Sequence, residues 1–272
     1  LLQWNANGLL AHCQEFRQYL ATNKFDIVCI QESFLKPEKS YNPPGYNCIR
    51  RDRTSKNRGG LVTYIRHGIK YTEIHQQIEL EHQAIRVKTL AGHITLVNVY
   101  IPPGIDVTPT EIHSLFLPEK TIILGDVNAR NKIWGNNTDD KRGKLIVEAI
   151  EANNYVVLNT GIGTHQIPNG SMSAIDISLA SRQLATKCHW TTGSETLGSD
   201  HVPIIVTVNE RPACELSTTP RWKCSKADWK TFRQKLSNHL ITANINDEED
   251  INNINQWICD VIHEAAECSI PQ

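Results

Sequence analysis

An acid stands directly beside a histidine in "GSDHVPI" (Gly198 to Ile204), just ahead of the apolar run "VPIIVTV". Asp200 and His201 therefore fall at the mouth of a short strand rich in β-branched residues. A lone Asp-His pair has a plain explanation, a turn aspartate next to a surface histidine, and short motifs often match by chance. Its company gives it weight. Other strand ends carry Asn5 and Asn7 ("WNANGL"), Glu32 ("IQES"), Tyr100 ("NVYIPP"), and Asp126 and Asn128 ("LGDVNAR"). Singly these too are ordinary: Asn7-Gly8 is a good turn pair, Asp126 could cap a loop, and Tyr100 before Pro-Pro could be packing. Asp176, inside "AIDISLA", is hardest to dismiss. A carboxylate there is costly to bury unless it is paired, and a protonated histidine would serve. Carboxylate and amide oxygens suit Mg²⁺ or Mn²⁺. With histidine and asparagine donors beside them, they suit attack of water on a phosphate ester, where charge grows on the phosphate oxygens. The chain shows no nucleophilic Ser or Cys in a recognisable setting and no phosphate loop of the P-loop kind.

Alternating strands and helices must position these residues, from Leu1 to about Val208. "LLQWN", "FDIVCI", "GGLVTYI", "KTIILGD", "YVVLN", "AIDISLA" and "VPIIVTV" read as strands. "IRVKTL" and "HITLVNVY" form a hairpin around Ala91-Gly92. Leu9, Cys13, Phe16 and Leu20 recur at helical spacing, predicting a helix from Leu10 to Asn23. "GKLIVEAIEANN" predicts a second, with Leu145, Ile146, Ala149 and Ile150 inward. So many strands with few helices imply two packed sheets with helices outside rather than one parallel sheet.

The texture changes after Glu210. Residues 211–225 read as a Pro/Ser/Thr-rich linker. Residues 226–272 then show Trp229, Phe232, Leu236 and Leu240 at helical spacing, and Ile251, Ile254, Ile258 and Val261 after the acidic start Asp247 to Asp250. Two amphipathic helices with little core of their own are expected, docked on the main domain or on a further one.

Composition narrows the class. The 272 residues are 40% hydrophobic and 21% charged, with a net charge of −1. This is globular composition without a global basic field, so any nucleic-acid surface is a local patch. No apolar run reaches membrane-spanning length, and "LLQWNANGLL" lacks the basic start of a secretion signal. With Met172 its only methionine, the chain reads as a piece of a longer product. The eight cysteines include no C-x-x-C pair, which argues against structural zinc, and Cys29 reads as a small core residue. Their even number leaves disulfides open, although a reducing compartment is expected.

"WNANGL", "QES", "RGGLVTYIR", "VYIPP", "ILGDVNAR…WG", "SAIDISLAS" and "GSDHVPI", in this order, resemble the endonuclease/exonuclease/phosphatase superfamily. More narrowly, residues 1–210 resemble the apurinic-endonuclease-like domain of non-LTR (LINE-type, jockey-like) retrotransposons. "RWKCSKADW" and the helices after it resemble the segment leading to a reverse transcriptase. The resemblance implies a four-layer α/β sandwich, two mixed β-sheets packed face to face with flanking helices. It implies that Glu32 holds Mg²⁺ (Mn²⁺ as the alternative) with Asn5 beside it, and that Asp200 orients the site or contacts a second metal position. Asp126 would orient or deprotonate the attacking water, and Asn128 would help hold the phosphate. Tyr100 would touch the phosphate or assist the leaving group. His201 would donate to a phosphate oxygen, kept cationic by Asp176. Asn7 stands where cellular repair relatives carry Asp, and favours the transposon branch. Arg130 stands where relatives often have His, a substrate-side variation.

"CIRRDRTSKNRGG" gathers Arg50, Arg51, Arg53, Lys56 and Arg58 in one loop. It is either a solvated charged loop or a clamp for a nucleic-acid backbone, with Arg51, Arg53 and Arg58 as the candidate contacts. The polar stretch from Thr164 to Ala174, with Asn169 in its Pro-Asn-Gly turn, matches a hairpin that the resemblance sends into a DNA groove. Trp134 reads as packing. The resulting expectation is a Mg²⁺-dependent endonuclease that nicks double-stranded DNA and leaves a 3′-hydroxyl to prime reverse transcription. It would act in the nucleus, beside a reverse transcriptase domain of the same polyprotein, with no membrane partner. The alternatives are an abasic-site repair nuclease or phosphoinositide phosphatase on the same fold, or a decayed, non-catalytic DNA-binding module.

Overall fold

The computed structural model describes residues 1–53, 58–214, 222–242 and 251–271. They form two compact units, Leu1–Glu215 and Leu216–Gln272.

The first unit opens with β1 (Leu2–Asn5), α1 (Cys13–Thr22), β2 (Ile27–Gln31), β3 (Tyr46–Arg51) and β4 (Leu61–Arg66). Next come β5 (Tyr71–Ile74), β6 (Glu81–Thr89), β7 (Gly92–Tyr100), the short α2 (Pro109–His113) and β8 (Thr121–Asp126). It closes with α3 (Lys141–Ala152), β9 (Tyr155–Val157), the β10–β11 hairpin (His165–Gln166, Met172–Ser173), β12 (Asp176–Ser181), α4 (Arg182–Ala185), β13 (Cys188–Thr192) and β14 (Ile204–Val208). Two mixed sheets result, ordered β13-β14-β1-β2-β4-β3 and β5-β6-β7-β8-β12-β9. Each holds one parallel pair, β1 with β2 and β7 with β8, among antiparallel neighbours.

Strand periodicity builds the layers. In β2, Ile27 and Cys29 face one way and Val28 and Ile30 the other; in β8, Ile122 and Leu124 oppose Ile123. Ile27, Cys29, Ile122 and Leu124 meet Ile85, Leu96, Trp190 and Val206 in a core between the sheets. Phe16 and Leu20 of α1 cover the outer face of the first sheet, over Trp4, Val28 and Ile30. Ile146, Ala149 and Ile150 of α3 cover the second, over Val97, Val99, Ile123 and Leu179. Truncating a central leucine such as Leu124 to alanine would cost about 2–5 kcal/mol. This is the expected four-layer sandwich. Trp134 is fully buried in the α3-side core, and Cys29 is buried between the sheets.

Several expectations need correction. Helix α1 begins at Cys13 rather than Leu10, and Gly143 joins Ile146, Ala149 and Ile150 on the buried face of α3, with Leu145 half-buried against the same core. Gly143 is required there, because a Cβ would come within 2.0 Å of the Arg130 carbonyl oxygen. Arg50 and Arg51 lie in edge strand β3, not in a loop. Its half-exposed "YNCIRR" hid it, as "CHWTT" hid edge strand β13. Lys56 lies outside the described residues.

Arg211–Cys214, where a linker was expected, is hydrogen-bonded along the first unit: Leu90 N donates to Arg211 O and Ala213 N to Lys88 O. In the second unit, α5 (Trp229–Thr242) and α6 (Ile251–Ser269) pack together over buried Val261, Ala265 and Ala266. Asp228 caps α5, its Oδ1 accepting from Lys230 N at 3.0 Å and Thr231 N at 3.1 Å. The acidic stretch Asp247 to Asp250 lies outside the described residues. Among the described residues, no helix is long and apolar enough to cross a membrane.

Candidate active site

Strand register assembles the site. Tyr100 of β7 pairs with Asp126 of β8, and Asp126 with Asp176 of β12. They share parity with the inward-facing Leu96, Ile122 and Ala180, so they form one row across the inner face of the second sheet. On the first sheet, Asn5 pairs with Gln31, and the chain turns at Glu32. The sheets thus bring Asn5 and Glu32 opposite Tyr100 and Asp126. Asn5 Nδ2 donates to Asp126 Oδ2 at 2.9 Å and to Glu32 Oε1 at 3.2 Å, and Tyr100 OH donates to Glu32 Oε1 at 2.6 Å.

The turns that aim these side chains are left-handed. Asn7, Glu32 and Asn128 have φ of 41°, 48° and 46°. Asparagine tolerates this region; glutamate enters it at a cost of about 1–2 kcal/mol. Asn128 then folds back on Asp126, its N donating to Oδ1 and its Nδ2 to Oδ2, both at 3.0 Å. Gly125 lets β8 approach β7 here, since a Cβ would lie 1.9 Å from the Val99 carbonyl oxygen.

His201 enters from the loop before β14. Trp4 Nε1 holds its carbonyl at 3.1 Å, Ser199 Oγ accepts from its N at 3.1 Å, and the same hydroxyl donates to Asn5 O at 2.8 Å. His201 Nδ1 contacts Asp176 Oδ2 at 2.8 Å. Thr164 Oγ1 donates to the same oxygen at 2.7 Å, and Asn159 Nδ2 donates to the Asp176 carbonyl at 3.0 Å. Asp200 binds Asn7 Nδ2 through Oδ1 at 3.2 Å.

Electrostatics divide the labour. Burial opposes charge on His201, but Asp176, then Asp126 and Asp200, outweigh it and raise the pKa to about 9. His201 is therefore a cationic donor near neutrality. Burial, then the charge of Asp176, raises Asp126 to about 7, while His201, Asn128 and Asn5 pull it down. A carboxyl so tuned can take a proton from water. Burial and the bond to Glu32 push Tyr100 up and keep its hydroxyl protonated. The hydrogen bond from His165 holds Asp200 well below the usual carboxylate range.

The donors suit a hard cation at Glu32. Its Oε1 is engaged, and its Oε2 has no hydrogen bond among the described residues. Asn5, expected as a ligand, turns its Oδ1 to Asn7 N at 3.0 Å and its amide NH₂ to the two carboxylates. In this orientation it bridges Glu32 and Asp126 as a donor.

The expected substrate contacts separate. Thr164 is fully buried and holds Asp176, so its assignment to substrate is corrected to a positioning one. Arg51 Nη1 is spent on the carbonyls of Leu80 at 3.2 Å and His82 at 2.8 Å. Arg53 lies 5.5 Å over the Tyr100 ring, paired with Glu81, in a cleft of about 500 Å³ that Tyr100 also lines. Arg58 and Arg130 are exposed, and Asn169 closes the exposed hairpin turn by accepting from Ser171 N at 3.0 Å.

Arg142 was missed. Its guanidinium donates to the carbonyls of Ile101, Pro102 and Ile105 after Tyr100, and to those of Val127 and Asn128 after Asp126. It thereby pins two site loops together. One signal was available: a cation in the first turn of a helix capped by Asp140, where the helix dipole disfavours it.

Comparisons with known proteins show what the chain resembles. Residues 94–205 match the family described as "Endonuclease-reverse transcriptase". The chain is 29% identical, over 98% of its length and 30% of the relative's, to the RNA-directed DNA polymerase from mobile element jockey of Drosophila funebris. It is 26% identical, over 99% of its length and 31% of the relative's, to the probable RNA-directed DNA polymerase from transposon BS of Drosophila melanogaster. The chain thus spans just under a third of the curated relatives it matches. The fold is shared with the endonuclease domain of TRAS1, a telomere-specific non-LTR retrotransposon (TM-score 0.64, 21% identity, 76% of this chain and 97% of that one). It is shared too with the Xenopus laevis APE2 catalytic domain (TM-score 0.63, 17% identity, 79% and 93%). The resemblance read from the motifs, and the fold it implied, are borne out.

Proposed function

We propose that this chain is the endonuclease part of a non-LTR retrotransposon polyprotein, and that it hydrolyses a phosphodiester of double-stranded DNA to leave a 3′-hydroxyl. The observation that carries this reading is the row Tyr100–Asp126–Asp176 facing Asn5 and Glu32, with His201 held on Asp176 at 2.8 Å. Asp126, oriented by Asn128 and Asn5, takes the proton of the attacking water. Cationic His201 donates to a non-bridging phosphate oxygen and stabilises the charge that grows there. Tyr100 and Asn128 border the phosphate and fix its position. Mg²⁺, held by Glu32, would supply Lewis-acid neutralisation of the phosphate and leaving oxygen.

The reading as a mobile-element nuclease, rather than a repair enzyme or phosphatase on the same fold, is favoured by relatives that align along nearly the whole chain, helices α5 and α6 included. The rest of such a polyprotein supplies the reverse transcriptase partner, and action on genomic DNA makes the nucleus its place of work.

Incubation of supercoiled plasmid with the protein and Mg²⁺ tests this. Nicked circles with polymerase-extendable ends are expected, lost with EDTA and in His201→Ala and Asp126→Ala. Absence of nicking by the intact protein, or nicking that survives both substitutions, overturns the reading.

A further inference from the structure

Three side chains beside the β10–β11 hairpin are each held from behind, and each brings a metal-ligating atom into one small region. His201 commits Nδ1 to Asp176, leaving Nε2. His165 commits Nδ1 to Ser173 Oγ at 3.1 Å, leaving Nε2. Asp200 receives Asn7 Nδ2 at 3.2 Å and Ser199 Oγ at 3.3 Å on Oδ1, while its Oδ2 faces the Nε2 of His165. The ligand atoms of these three residues all lie within 4.8 Å of one another. The two imidazoles stand 4.5 Å apart between centroids, tilted by 50°. His165 Nε2 lies 3.5 Å from Asp200 Oδ2. Two ligands each about 2.0–2.2 Å from one tetrahedral Zn²⁺ lie roughly 3.3–3.6 Å apart, which this separation matches. Metal-bound histidines regularly give their other ring nitrogen to a carboxylate or hydroxyl, as both do here. Two imidazoles and one carboxylate select a borderline ion over Mg²⁺.

We propose that His165, Asp200 and His201 form a binding site for one Zn²⁺ ion, separate from the oxygen-donor position at Glu32, and that Zn²⁺ bound there inhibits hydrolysis by occupying the Nε2 of His201. The inhibition rests on the function proposed above; the binding does not. His165 is the residue that makes the site selective, because it adds a second nitrogen ligand to a loop that otherwise offers one.

Calorimetric titration of the whole chain with ZnCl₂ tests the binding, comparing the native protein with His165→Ala and His165→Phe. The phenylalanine keeps a ring against His201 and removes both nitrogens, and melting curves establish that each variant is folded. The eight free thiols are common to all three proteins, so only the difference between them reports this site. Loss of one Zn²⁺ equivalent, or weakening of one binding event by tenfold or more, in both folded variants is the expected result. Identical titrations of native protein and variants overturn the proposal. In parallel, Mg²⁺-dependent nicking is measured with and without micromolar Zn²⁺, each variant against its own Zn²⁺-free rate. Inhibition of the native enzyme that disappears in the variants is expected; equal inhibition in all three refutes the inhibitory role. Should the native protein nick nothing in Mg²⁺ alone, the hydrolase reading fails while the calorimetry still decides the site.

Discussion

Two buried polar rows lie side by side on the inner face of the second sheet. The outer row is Glu81, Tyr100, Asp126 and Asp176; the next one inward, polar except at Leu124, holds Gln83, Asn98, Leu124 and Ser178, and beyond it lie Ile85, Leu96 and Ile122. The inner row is neutral and hydrogen-bonds across to the first sheet. Gln31 Nε2 donates to Asn98 Oδ1 at 2.6 Å, Asn98 Nδ2 to the carbonyls of Ile30 and Val62, and Thr63 Oγ1 to Gln83 Oε1 at 2.8 Å. These neutral groups bridge the two sheets and set their register. The outer row carries charge, and burial raises the pKa values of Tyr100 and Asp126 within it. Burial of polar atoms is thus common to both rows; what marks the site is charge held at a strand end beside a cleft.

Substitutions in the two rows should therefore separate cleanly. His201→Ala and Asp126→Asn have the largest effects, the first a fall in nicking rate of about 10²–10³-fold with the fold retained. Asp126→Asn lowers the rate by about 10²–10⁴-fold and changes its pH dependence. The native rate should rise as Asp126 loses its proton near pH 7 and fall as His201 loses its own near pH 9. The variant should lose the rising limb. The same shifts act on stability: both folded pKa values lie above the unfolded ones, so the folded state holds more protons. Melting temperature should fall as pH rises from about 6.5 to 9, and fall less in His201→Ala. Arg142→Ala stands between the rows in kind. Loosening two site loops by an ångström should cost about 10²-fold in kcat with KM little changed, and Arg142→Lys should not restore it. Gln31→Ala should cost about 1–3 kcal/mol in denaturant unfolding while the rate per folded molecule holds. The smallest effect is expected at the hairpin tip, where Asn169→Ala should shift the distribution of cleavage positions and leave the total rate nearly unchanged.

Legibility followed the same division. Asn5, Glu32, Tyr100, Asp126 and His201 were visible because each borders an apolar run that reads as a strand. Asp176 was visible because an acid inside such a run is expensive. Thr164, Arg142 and His165 were not legible as positioning groups. Their partners lie 12, 14 to 41, and 35 residues away, and hydroxyls, guanidiniums and imidazoles occur on any surface. Arg51 misled because its charge suggests phosphate, while its fold context gives it backbone carbonyls.

The left-handed turn at Glu32 bears on how such a protein ages. Glycine there would release a strain of about 1–2 kcal/mol and return about 0.5–1 kcal/mol as unfolded-chain entropy, so the balance is close to neutral. Loss of the carboxylate proposed to hold the cation would also take an acceptor from Tyr100 OH and Asn5 Nδ2, a cost of about 1–3 kcal/mol that a stable domain can absorb. Quality control that senses unfolding is blind to this lesion. A lineage of copies that drifts at this position would go on producing well-folded, inert protein, and only continued use of the activity keeps the glutamate in place.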